Sequence, residues 1–135
     1  MATNSSAKQF KLDLDKAFEE DVEQVVVAVS MKIAMEALNR VVLKSPVKSG
    51  RFRGNWTVAF GQQDLTTTTE VDPSGMKTIA KGSQIILGQK GPAIIWLSNN
   101  LPYAERLENG YSKQAPAGMV AITFTELSKI VEVKV

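Results

Sequence analysis

The sequence predicts an α+β fold: a long N-terminal helix packed on a small, mainly antiparallel β-sheet, with one or two additional short helices. Three observations predict it. Phe18, Val22, Val25, Val29, Ile33, Ala37 and Val41 recur at three- and four-residue steps, the period of one helical face. Trp56 to Phe60 alternates in polarity, and Ala93 to Ser98 is a short apolar run; both patterns fit strands. Proline and glycine clusters separate these segments at the lengths a single domain of 135 residues needs.

Residues 1–9 are small and polar and are predicted to form a flexible arm. Phe10 to Leu14 alternates and fits an extended lead-in. The helix is predicted from about Asp15 to Lys44, with Asp13 and Asp15 as capping residues. Acidic side chains crowd its start, and Arg40 and Lys44 stand at its end, which suits the helix dipole. Ser45-Pro46 stops it, because a residue before proline is pushed out of helical geometry. Thirty helical residues span about 45 Å, whereas a domain of this size is roughly 35–40 Å across. Such a helix must kink or pack its overhang on another subunit.

Ser45 to Trp56 holds a proline, two glycines and three cations, and reads as a structured turn leading into the first strand. Residues 61–75, with four consecutive threonines, read as a polar loop or arm. Asp72-Pro-Ser-Gly75 starts a helix over Met76 to Leu87. Gly82 weakens that helix, and a strand at Gln84 to Leu87 is the alternative. Tyr103 to Glu108 reads as one or two helical turns closed by Asn109-Gly110. The tail is predicted helical from Pro116, although Val120 to Thr125 also alternates like a strand.

Hydrophobic residues make up 44% of the chain and charged residues 22%, which excludes a disordered chain. There is no cysteine and no histidine, so thiolate chemistry and histidine acid–base chemistry are absent. No phosphate-cradling glycine loop and no G-x-S-x-G elbow occurs. Glu105 and Glu108 share a helical face, but beside Arg106 they read as surface charge. The chain is therefore read as no enzyme, with no catalytic, cofactor or metal residues. No apolar run reaches the roughly 20 residues of a membrane span. Net charge is +2, with the excess of cations in residues 41–90. Lys44, Lys48, Arg51 and Arg53 form the one basic cluster. With Phe52 and Trp56 between them, they define an alternative reading: a small nucleic-acid-binding module.

Three stretches together resemble a known family. Ser45-Pro-Val-Lys-Ser-Gly-Arg-Phe-Arg-Gly-Asn-Trp56 is similar to the S-P-V-(D/K)-(T/S)-G-R-(L/F)-R-x-(S/N)-W segment of small neck and tail-completion proteins of tailed bacteriophages. Asn99-Asn-Leu-Pro-Tyr-Ala-Glu-Arg-Leu-Glu-Asn-Gly110 resembles their N-x-x-P-Y-A-x-x-(L/V)-E-x-G segment, and Ser112 to Met119 their S-x-x-A-P-x-G stretch. The resemblance covers roughly residues 12–130; Ser49 stands where threonine is usual. It marks Ser45, Pro46, Gly50, Arg51, Arg53 and Trp56 in the first stretch as fold-defining. In the later stretches it marks Pro102, Tyr103, Ala104, Glu108, Gly110 and Pro116.

The resemblance implies a structural virion protein of the head–tail junction, made in the cytoplasm of a bacterial host. It implies a homo-oligomeric ring, six- or twelve-fold, around the DNA channel. Its neighbours would be head-completion, portal-adaptor or tail-tube proteins, with DNA passing through non-specifically. It implies no cofactor and no membrane.

Overall fold

The computed structural model describes the backbone of residues 2–134 and the side chains of residues 7–16 and 19–130. From Ala2 to Lys44 the chain has neither proline nor glycine, and these 43 residues form one helix, α1. At 1.5 Å per residue this is about 65 Å of helix. The segment predicted as an arm, residues 1–9, is helical from Ala2 onward, and Phe10 to Leu14 is helical too. Nothing in Ala2 to Leu14 breaks a helix, so the ladder runs back through Asp13 and Asp15, which are exposed interior positions and not caps.

Arg53 closes the other end of α1. Its guanidinium donates to the carbonyls of Leu43 (2.9 Å) and Ser45 (3.2 Å), groups that a helix leaves without partners. A single 3-10 turn, Arg53–Asn55, then feeds strand β1 (Trp56–Phe60). Residues 61–75 form the predicted loop, without a strand. Helix α2 (Met76–Leu87), strand β2 (Ile95–Asn99), helix α3 (Ala104–Glu108) and helix α4 (Val120–Lys134) follow. β1 and β2 pair antiparallel, from Trp56 opposite Asn99 to Phe60 opposite Ile95. The fold is α+β, as predicted.

The core lies where α1, α2, α4 and the sheet converge: Ala34, Leu38, Val41 and Val42 from α1, with Trp56, Val58, Ile86, Leu101 and Met119. Gly82 was expected to weaken α2, but it sits where α2 presses on α1. A Cβ there would lie 2.5 Å from a Leu38 methyl and 2.9 Å from a Val58 methyl. The cost of glycine in the helix is offset by closer packing of three elements. β2 starts at Ile95 rather than Ala93 and is half-buried, with Trp96 facing outward. A two-stranded sheet has only one face on the core, so the apolar run could not be buried throughout.

The predicted stripe on α1 departs from the observed core face. Val41 is buried, but Val22, Val25, Val29 and Ile33 are exposed. Each four-residue step overshoots a full turn by about 40°. The stripe therefore winds around the helix, from the solvent side at Val29 into the core at Val41. Val29, nine residues before Leu38, lies about 180° around the axis from it. The side chain of Phe18 lies outside the described residues.

Candidate assembly surface

The residues of the three family-like stretches are joints between elements. Trp56 Nε1 donates to Ser45 Oγ at 2.7 Å, tying the end of α1 to the start of β1. Phe52 packs edge-on against Trp56, with ring centres 6.1 Å apart, and at a 39° tilt against Tyr103 at 6.0 Å, which joins the first stretch to the second. Asn99 Nδ2 adds a bond to the Phe52 carbonyl at 2.8 Å. Pro46 is buried. Pro102 and Tyr103 are exposed, and Tyr103 packs against Phe52 from the surface. Ala104 opens α3 and packs against the core.

Gly50 takes φ +94°, and its carbonyl accepts bonds from Asp72 N (2.9 Å) and Gly54 N (3.0 Å). A side chain there would run into the Pro73 backbone at 2.5 Å. The turn and the start of α2 are thereby locked together. Asp72 completes the lock by accepting from the Thr78 N–H (2.8 Å) and hydroxyl (2.7 Å). Burial pushes the Asp72 carboxyl up, but these bonds outweigh it and hold it below the ordinary aspartate value.

Glu108 has a role that the sequence did not disclose. From α3 its carboxylate accepts three backbone N–H bonds at the start of α4: Met119 and Val120 at 2.8 Å, and Ala121 at 3.1 Å. Burial raises its pKa, yet the three donors prevail and the net shift is downward. This cap starts α4 at Val120 rather than at Pro116, which lies in the preceding turn with its carbonyl against Gly110.

Three of the four cations of the basic cluster are engaged within the fold. Arg53 also donates to the Pro73 carbonyl (2.9 Å), and Arg51 Nε donates to the Thr68 carbonyl (3.1 Å). Lys44 pairs with Glu126 at 2.6 Å, beside the Arg40–Glu126 ion pair that fastens α4 to α1. These two cations hold the Glu126 carboxyl below its ordinary value. Lys48 is exposed and enters no ion pair among the described residues. Phe52 and Trp56 are buried and offer no face for a base to stack on.

Two surface features remain. A groove of about 600 Å³ follows β1 between the threonine loop and α2, lined by Thr67, Thr68, Lys77 and Lys81 among others. Asn55 pins its wall, with bonds to the N–H and carbonyl of Thr68 at 2.9 and 3.0 Å. The second feature is α1 itself. Every described side chain from residue 7 to residue 26 is exposed, and the helix first meets its own domain around Val27 and Ser30. Over residues 7–26, about 30 Å of helix therefore stands clear of the body.

Among the described residues no three acidic, histidine or cysteine side chains gather as a metal site. No described helix is long and apolar enough to cross a membrane. Searches against family models, curated proteins and solved structures gave no match to this chain.

Proposed function

We propose that this chain is a structural subunit of the head–tail junction of a tailed bacteriophage, and that it works by assembling into a ring around the DNA channel. One observation carries most of the weight. The residues that give the chain its resemblance to neck and tail-completion proteins act as caps, locks and ring contacts between elements. Such residues define a scaffold and leave no convergent set of groups for bond-making. The projecting half of α1 adds a surface that the single domain does not use.

The rival reading, a nucleic-acid module on Lys44, Lys48, Arg51 and Arg53, is disfavoured by the same geometry, since three of the four cations are already engaged. Mass photometry of the purified chain, electron microscopy and peptide mapping of purified virions test the proposal. Ring-shaped oligomers and peptides in the particle are the expected result. A chain absent from particles and monomeric at every concentration would overturn it.

A further inference from the structure

The exposed half of α1 carries an apolar stripe left uncovered among the described residues: Val22 is 46% exposed, Val25 62% and Val29 52%. Carboxylates surround the stripe. Residues 1–26 hold three lysines against six acidic residues, net −3, while residues 27–135 hold thirteen cations against eight acidic residues, net +5. A projecting apolar helix of one sign and a body of the opposite sign, in one molecule, are complementary between copies.

Pairing of two α1 stripes side by side fits less well. Continued towards the N-terminus at heptad spacing, the seam through Val22 and Val29 meets Asp15, and two acidic segments would be brought together. The apolar run lasts about two heptads, short of what a coiled coil needs.

One surface of the body matches the stripe. α2 is the body helix without an acidic residue. Its outer side presents Met76 and Leu87, both more than half exposed, and between them the exposed Lys77, Ala80 and Lys81. Neither lysine enters an ion pair among the described residues.

We infer that the projecting half of α1 docks on the outer face of α2 of a second copy, valines on the apolar positions and carboxylates towards Lys77 and Lys81. A contact between two different patches is head-to-tail, the kind that closes into a ring when the rotation permits. This docking rests on the ring-forming role proposed above.

The chain has no cysteine, so cross-linking can be placed at will. Val25→Cys chains mixed with Ala80→Cys chains are expected to form a mixed disulfide dimer on mild oxidation. The Val25→Asp/Val29→Asp double variant is expected to weaken assembly at least tenfold in mass photometry, with unchanged circular dichroism and, at a dilution where both chains are monomeric, an unchanged thermal midpoint. Wild-type oligomers that the double variant matches, or disulfides only between Val25→Cys chains, would overturn the docking and leave the ring reading standing. A wild-type chain that stays monomeric at all concentrations would overturn both.

Discussion

The indole of Trp56 and the hydroxyl of Ser45 meet at 2.7 Å, and the same hydroxyl donates to the Val41 carbonyl at 2.6 Å. One buried oxygen thus relays the last turn of α1 to the first residue of β1. Ser45→Ala orphans the indole N–H in a buried site and is expected to cost about 1–3 kcal/mol. Urea denaturation checks this; the midpoint should fall with the slope unchanged.

Glu108→Gln keeps the shape of the cap but removes its charge at the N-terminus of α4. The expected loss is about 1 kcal/mol, read as a lower thermal midpoint at neutral pH. The wild-type contribution has a definite pH window. Because the folded pKa is depressed, it is complete above the ordinary glutamate value of about 4.3. It is lost as pH falls through the lower folded value. The stability difference between wild type and variant should therefore shrink below about pH 4.

Gly50→Ala meets two obstacles at once, the positive φ and the Pro73 backbone at 2.5 Å. A backbone neighbour cannot rotate away as a side chain can. A loss above about 2 kcal/mol is expected, with loosening of the turn before α2 visible as faster amide exchange at Thr78.

Thr123 is 3% exposed, and its hydroxyl has no hydrogen-bond partner among the described residues. Valine has nearly the same shape without the stranded polar atom. Thr123→Val is expected to stabilise by about 1 kcal/mol, raising the thermal midpoint by roughly 4 °C.

The legible parts of the fold were those with strong local signals. Ser45-Pro46 ended α1 and Trp56 to Phe60 formed its strand, because proline and alternation act within a few residues. The face that α1 turns to its core was not legible, since a stripe with four-residue steps winds around the helix and only tertiary contact decides which arc is buried. Gly82 was misread for a related reason: its value lies in the distance to Leu38, 44 positions earlier. The motif residues were visible as special, but their roles were not. Nothing in one sequence reveals that Glu108 reaches across to cap a helix beginning twelve residues later. The basic cluster was visible as charge, and only the fold disclosed that its arginines face carbonyl oxygens.

The hydrogen-bond ladder of α1 runs without interruption from the exposed tip to Leu38 and Val42 in the core. The helix is therefore a lever whose short arm is clamped in the domain and whose long arm, over residues 7–26, extends about 30 Å beyond it. A sideways load on the tip acts as torque on the clamp, where Arg53 and the Ser45–Trp56 bond hold the helix end. Strain imposed far from the body is thus felt first where the helix enters it, at Ser30 and its contact with Gln89.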